Sequence, residues 1–150
     1  MNKEITCALV IINKDGDILG CHGTGKPIEN GYDFPKGCYD SKDKDELSTA
    51  IRELREETGI KLSMSEIASI VDCGTHSHTK GKDIHIFLLK VEIFPNIDDL
   101  KCDSYFEWKF GKKLPEVNGY KIITKEDRSK YFYKVLQNKF EIIDQFNNTR

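Results

Sequence analysis

The chain has 150 residues, with 25 Asp or Glu against 23 Lys or Arg and a formal net charge of -2. This length suits one domain, residues 1–150, with its own hydrophobic core. Hydrophobic residues make up 38% and aromatic residues 10%, which excludes a disordered or fibrous protein. The near balance of charge excludes a protein that coats nucleic acid or an anionic membrane by bulk electrostatics, although a local basic patch is allowed.

Strand-like and helix-like segments follow one another along the chain. In the first half we expect a strand at 5–12, a turn at 13–16, a second strand from Ile18, a loop at 20–37 with an extended piece at 32–34, and a helix at 46–58 that Gly59 ends. In the second half we expect strands at 67–75 and 83–92, a loop at 94–119 with a short strand at 105–110, a strand at 120–123, and a long amphipathic helix at 125–146 after Thr124 as N-cap.

The location of the protein is predicted from its apolar runs and its cysteines. No apolar run approaches the roughly 20 residues that a membrane span needs, so we expect no membrane partner and a cytoplasmic protein. The five cysteines are far apart and never form a Cys-x-x-Cys pair, and we interpret them as reduced thiols.

Three glutamates share one face of the helix predicted at 46–58. Glu53, Glu56 and Glu57 stand at i, i+3 and i+4, and the apolar stripe of the helix points away from them. Like charges at this spacing destabilise a helix by a few tenths of a kcal/mol per pair. A hard cation such as Mg²⁺ or Mn²⁺ would relieve this repulsion. The alternative is a solvated acidic face neutralised by i, i+4 pairs such as Arg52 with Glu56.

The residues around this helix form a longer motif. Gly37 precedes the helix, and Arg52-Glu53-Leu54-Arg55-Glu56-Glu57-Thr58-Gly59-Ile60 runs through its end. The pattern resembles the box of the Nudix hydrolases, which runs Gly, five residues, Glu, seven residues, Arg-Glu, an aliphatic residue, any residue, Glu-Glu, any residue, Gly, and an aliphatic residue. The chain therefore resembles a Nudix hydrolase over residues 34 to 60.

The loop before the helix is one residue longer than the family pattern. The first Glu of the box falls on Asp43 when counted from Gly37, and on Lys44 when counted back from Arg52. The resemblance implies that this Glu supports the loop rather than the metal site. Asp43, Asp45 or Glu46 could substitute for it, and Asp45 could also cap the helix.

The resemblance implies a fold, a cofactor and a reaction. The fold would be an α/β/α sandwich with a mixed central sheet, a catalytic helix and a long C-terminal helix. The activity would be hydrolysis of the diphosphate link of a nucleoside diphosphate derivative with Mg²⁺ or Mn²⁺. By resemblance, the metal ligands would be Glu53, Glu56, Glu57 and the carbonyl of Gly37, with Glu53 the first candidate for the base and with Arg52 and Gly59 in structural roles.

Two short patterns are similar to those of dinucleoside polyphosphate hydrolases. Glu116 precedes Tyr120 with the spacing of a second catalytic glutamate, although Glu92, Glu107 and Glu126 compete for this role and a solvated loop carboxylate is the alternative. Pro35-Lys36-Gly37 suggests that Lys36 binds phosphate, if it is not an ordinary surface lysine. For stacking on a base we favour Tyr120 over Phe34 and Tyr32, whose rings could equally belong to the core.

Other side chains leave alternatives open. His76 and His78 lie two residues apart and could form a zinc pair, but a surface pair is the favoured interpretation. The substrate would be a small nucleotide, whereas Lys109, Lys112 and Lys113 could instead guide RNA toward removal of its 5′ pyrophosphate or cap. A non-catalytic ligand sensor is the third possibility, and both a monomer and a homodimer are compatible with the sequence.

Overall fold

A mixed β-sheet forms the centre of the computed structural model, which describes residues 3–149. The strands are β1 (Glu4–Ile12), β2 (Ile18–Gly23), β3 (Tyr32–Asp33), β4 (Lys36–Cys38), β5 (Val71–Thr79), β6 (Lys82–Lys90), β7 (Tyr105–Glu107), β8 (Lys113–Pro115) and β9 (Val117–Ile123). The sheet order is β3-β2-β1-β6-β5, with β4 also beside β1 and β9 also beside β2. The pair β1 and β6 is parallel and the other pairs are antiparallel. Strands β7 and β8 form a separate hairpin.

Helices cover both faces of the sheet. They are α1 (Glu46–Thr58), α2 (Met64–Ala68), α3 (Arg128–Tyr131) and α4 (Phe140–Asn147). Because side chains alternate along β1, Leu9 packs with Leu54 of α1 on one face, whereas Val10 packs with Phe140 and Ile143 on the other. This arrangement is an α/β/α sandwich with a mixed sheet, so the predicted fold class is confirmed.

Local signals at both ends explain why α1 has the predicted bounds. The carboxylate of Asp45 accepts a hydrogen bond from the backbone N–H of Ser48 at 2.8 Å, which satisfies one of the free donors of the first turn. Gly59 adopts a left-handed φ of 80°, and its N–H donates to the carbonyl of Arg55 at 2.8 Å. The helix therefore begins and ends where the sequence predicts.

The single long helix predicted at 125–146 is wrong. Short 3₁₀ turns at 125–127 and 134–139 alternate with α3 and α4, and the backbone of Phe132 is extended, with ψ of 150°. Phe132 forms a parallel bridge with Tyr32, and Asn30 Nδ2 donates to its carbonyl at 2.8 Å. These distant contacts override the helical periodicity. Thr124 makes no side-chain capping hydrogen bond.

Two further segments differ from the prediction. The strand expected at 67–75 starts only at Val71, because Ser63 and Glu66 form a capping box that begins α2. The strand expected at 105–110 ends at Glu107, since the chain turns and returns as β8. Within residues 3–149 no helix is both long enough and apolar enough to cross a membrane.

Candidate active site

Glu53 and Glu57 form a close pair of carboxylates on α1. Glu57 is only 6% exposed, and Glu53 is half-buried. Burial raises the pKa of Glu57 to about 10, and the neighbouring Glu53 adds to the rise. Burial also raises the pKa of Glu53. Ionisation of both carboxylates is unfavourable because their negative charges repel and are partly buried. Without a bound cation, the pair therefore retains one proton at neutral pH.

Gly37 allows the backbone of β4 to approach this pair. A Cβ atom on Gly37 would lie 2.2 Å from both Cδ and Oε1 of Glu53. Pairing of Gly37 with Cys7 of β1 holds the strand in this place. Only glycine leaves room for the carboxylate here, so the two halves of the motif meet in space.

Arg52 gathers three carboxylates around its guanidinium group. Its Nη1 donates to Glu53 Oε1 at 3.2 Å and to Glu56 Oε2 at 3.0 Å. Its Nε and Nη2 donate to the two oxygens of Asp43 at 3.2 and 3.1 Å. The i, i+4 pair of Arg52 with Glu56, raised as the alternative to a metal site, is therefore present.

The structure distinguishes the three acids that could replace the first Glu of the box. Asp43 ties the preceding loop to the helix, because it also accepts a hydrogen bond from Thr49 Oγ1 at 2.7 Å. Its hydrogen bonds to Arg52 and Thr49 lower its pKa. Asp45 instead caps α1, and Glu46 pairs with His85 at 2.7 Å. Of the three acids, Asp43 is therefore the one that contacts Arg52.

The donor set fits a hard divalent cation. Glu53 and Glu57 offer oxygen atoms in a buried position where their negative charge is poorly compensated, and Mg²⁺ or Mn²⁺ would replace the shared proton. Glu56 lies against Arg52, and within residues 3–149 no three His, Cys, Asp or Glu side chains are grouped as metal ligands. Metal binding would therefore require Glu56 to turn from Arg52.

A cavity of about 140 Å³ opens beside the carboxylate pair. Its walls include Glu57, Lys36, Asp33, Tyr133 and Glu116. Lys36 Nζ lies 3.2 Å from Asp33 Oδ2. Burial disfavours the charged form of Lys36, but Asp33 outweighs this effect and the pKa of Lys36 is raised. The cavity therefore combines three carboxylates with one lysine that stays protonated.

Asp33 and Tyr133 of this cavity were not predicted from the sequence. Asp33 lies next to Phe34-Pro35-Lys36 in sequence, and its position beside a candidate phosphate-binding lysine was the available signal. Tyr133 follows the extended Phe132, and its N–H donates to the carbonyl of Tyr32 at 2.9 Å. No local pattern points to this position for Tyr133.

The aromatic residues proposed for base stacking make packing contacts within the protein. Phe34 borders the cavity but is fully buried, with its ring centre 5.3 Å from that of Phe132 and 6.0 Å from that of Phe140. A stacking role for Phe34 stays a prediction. Tyr120 is half-buried and outside the cavity lining, and its hydroxyl donates to the carbonyl of Glu57. This contact assigns Tyr120 to holding the end of α1.

His76 and His78 are both half-buried. His76 Nε2 lies 2.7 Å from the carbonyl oxygen of Cys73. Burial, together with Lys36, Lys139 and Lys82, lowers the pKa of His78 to about 4.

Comparison with known proteins places this geometry in context. The family model described as NUDIX domain matches residues 2–108. An uncharacterized 17.7 kDa protein from the e-segB intergenic region of Enterobacteria phage T4 is 26% identical over 151 residues, which cover 92% of this chain and 96% of that relative.

Several solved structures share the fold. The NUDIX domain of Shewanella oneidensis NrtR, complexed with ADP-ribose, has a TM-score of 0.69 at 14% identity, covering 97% of this chain and 89% of that one. An ADP-ribose pyrophosphatase from Streptococcus suis has a TM-score of 0.63 at 12% identity, and the match covers 99% of this chain and 95% of that one. A third similar structure is a bifunctional NMN adenylyltransferase/ADP-ribose pyrophosphatase from Francisella tularensis, complexed with AMP and a Mn ion. Its TM-score is 0.62 at 19% identity, and the match covers 99% of this chain and 42% of that one.

Proposed function

The chain belongs to the Nudix hydrolase family, and from this premise we propose that it cleaves the diphosphate link of a nucleoside diphosphate derivative with Mg²⁺ or Mn²⁺. The proposed substrates are dinucleoside polyphosphates and ADP-ribose-type nucleotides. The observation that carries the proposal is the pair of Glu53 and Glu57, in which Glu53 lies against Gly37 and the buried Glu57 lines the same cavity as Lys36. We also propose that residues 1–150 act as one catalytic domain in the cytoplasm.

The proposed metal ligands are the carboxylates of Glu53, Glu56 and Glu57 with the carbonyl of Gly37. When bound, the ion would neutralise charge on the phosphate oxygens and lower the pKa of a water molecule. Arg52 keeps two of these carboxylates on one side of α1, and its own link to Asp43 fixes its position. Arg52 thereby keeps both carboxylates on this side of α1, and Glu56 would turn from Arg52 to reach an ion.

Lys36 and Glu116 supply the groups that handle substrate in this proposal. Lys36 binds a phosphate oxygen, since its ammonium group reaches the cavity from β4. Glu116 also lines the cavity. Its backbone N–H donates to the carbonyl of Ser104 at 2.8 Å, and its carbonyl accepts from the N–H of Thr24 at 3.2 Å. Either Glu53 or Glu116 then accepts the proton of the attacking water.

The relatives support the ADP-ribose-type substrate, because two of the similar structures are named as ADP-ribose pyrophosphatases and a third is complexed with ADP-ribose. The short patterns around Lys36 and Glu116 support dinucleoside polyphosphates. A non-catalytic sensor is less well supported, because the chain keeps Glu53, Glu56 and Glu57.

A substrate panel tests the proposed function. The panel contains ADP-ribose, diadenosine polyphosphates, nucleoside triphosphates and 5′-triphosphorylated RNA, each incubated with Mg²⁺ or with EDTA. We expect metal-dependent release of a nucleoside monophosphate or diphosphate product from ADP-ribose or a diadenosine polyphosphate. Absence of turnover with every member in the presence of metal would overturn the proposal and favour the sensor.

Replacing Glu116 by glutamine is expected to lower kcat by about tenfold or more, because an amide cannot accept the proton of water. The measurement is the initial rate on the best substrate of the panel, for this variant and for Glu92→Gln as a matched control. Glu92 is exposed and outside the cavity lining. If Glu116→Gln turns over substrate at the wild-type rate, the role of base passes to Glu53.

A further inference from the structure

The hairpin of β7 and β8 exposes aromatic side chains to solvent. Tyr105 and Trp108 are each 50% exposed, and the ring of Phe110 is fully exposed. We call residues 105–115 the aromatic hairpin. A hairpin whose large apolar rings face water gains little stability from them, so this surface suggests a binding role.

The backbone at the tip of the aromatic hairpin is also unfavourable for a folded chain. Phe110 has a φ of 61°, in the left-handed region that residues with a large side chain rarely adopt. Gly111 follows with a φ of 73°. The ring of Phe110 points into solvent, so its packing does not offset the energetic cost of this backbone conformation. Strained backbone of this kind is common at ligand-binding sites.

Basic side chains surround these rings. Lys109, Lys112 and Lys113 are exposed and outnumber the only acid in this stretch, Glu107, in a chain whose formal net charge is -2. Lys109 Nζ lies 6.0 Å from the centre of the Trp108 ring. Aromatic faces next to lysines are the combination by which proteins bind unpaired nucleotides, with bases stacked on rings and phosphates beside cations.

The base of the aromatic hairpin is joined to the candidate active site. Thr24 Oγ1 donates to the carbonyl of Pro115 at 2.5 Å, and the next residue, Glu116, lines the catalytic cavity. The N–H of Trp108 donates to the carbonyl of Lys112, so Trp108 lies level with Lys112. At about 3.3 Å per residue, Trp108 is roughly 13 Å from Glu116 along the strand, and Phe110 is farther still.

A strand of several nucleotides is long enough to contact both rings, and its phosphates suit the exposed lysines between and beside them. We infer that the aromatic hairpin binds single-stranded nucleic acid beside the catalytic cavity. Bases stack on Trp108 and Phe110, and the lysines contact the backbone phosphates.

Trp108 is the only tryptophan of the chain, so its fluorescence reports on this surface directly. We titrate the full-length protein in EDTA with unlabelled 12-nucleotide RNA and DNA of one sequence that carry a 5′ hydroxyl, and follow quenching. Fluorescence anisotropy of labelled oligonucleotides gives Kd for the variants. RNA and DNA are expected to quench Trp108, and stronger binding of one identifies the source of the strand.

Substitutions separate stacking from charge. Trp108→Ala and Phe110→Ala are each expected to raise Kd by about tenfold, whereas Trp108→Phe restores most of the affinity because a ring remains. Changing the three lysines to Gln should reduce the slope of log K against log salt by about 2. Ile93→Ala, at an apolar side chain that is also strongly exposed, is the matched control and should leave Kd unchanged.

The outcomes distinguish this inference from the proposed function. Absence of quenching, or equal Kd for wild type, Trp108→Ala and Phe110→Ala, would overturn the nucleic-acid surface even if the protein hydrolyses ADP-ribose. Binding that depends on both rings would support the surface even if no member of the substrate panel is hydrolysed, because the oligonucleotides carry no cleavable 5′ phosphate.

Discussion

Replacing Glu57 by glutamine is expected to lower kcat/KM by about 10³-fold and to raise the Tm of the protein in EDTA. The loss follows because glutamine cannot supply the charge that a divalent cation needs from this position. The gain follows because the buried carboxylate beside Glu53 is unfavourable without a cation. One substitution therefore separates catalysis from folding.

The gain in stability has a defined dependence on pH. The pKa of Glu57 is about 10 in the folded protein, well above its ordinary value, so folding takes up a proton once the unfolded chain has lost it. The contribution of Glu57 to the free energy of unfolding therefore falls as the pH rises from the ordinary pKa of glutamate toward 10. Glutamine does not titrate, and the difference in Tm between Glu57→Gln and wild type should be small at pH 5 and larger at pH 8.

The measurements are kcat/KM with Mg²⁺ and Tm by calorimetry in EDTA, at pH 5 and pH 8. Glu126→Gln is the matched control, because Glu126 is exposed and follows the far end of β9 from Glu116. Wild type should gain Tm on addition of Mg²⁺, and Glu57→Gln should not. Near-normal turnover by Glu57→Gln would eliminate the proposed metal site.

Replacing Gly37 by alanine is expected to lower kcat/KM by about 10²-fold with little change in Tm. The added Cβ would lie 2.2 Å from Glu53 Cδ, so the carboxylate must move. The atoms in the way are the end of a flexible side chain, which moves without disturbing the sheet. Activity suffers because misplacement by about 1 Å of a group that positions reactants costs about this factor.

Gly119→Ala provides the control for Gly37→Ala. A Cβ on Gly119 would meet only His22 Cβ at 3.6 Å, which is ordinary contact, and Gly119 also lies in a strand of the same sheet. Activity and Tm of both variants are compared with wild type. Full activity of Gly37→Ala would show that the position of Glu53 beside β4 has no part in catalysis.

Features that depend on neighbouring residues were predictable from the sequence. The bounds of α1 follow from Asp45 and Gly59, which act on the backbone within one turn. The common face of Glu53, Glu56 and Glu57 follows from helical geometry alone. The resemblance to the Nudix box was sufficient to identify the family, which the match over residues 2–108 confirms.

Features that depend on distant residues were not predictable from the sequence. The helix expected at 125–146 is interrupted because Phe132 bonds to Tyr32 and Asn30, about 100 residues earlier. The packing of Phe34 against Phe132 and Phe140 in the core likewise depends on residues about 100 positions later.

The sequence by itself determined the acidic face of α1, its capped ends, and the family to which the chain belongs. The tertiary structure alone decided that Asp43 contacts Arg52, that Asp33 and Tyr133 border the cavity, and that the hairpin carrying Trp108 leads to it. The physical reason is the distance along the chain over which each interaction acts. Helix propensity and capping act within a few residues, whereas burial and the meeting of side chains are set by which strands and loops the sheet brings together.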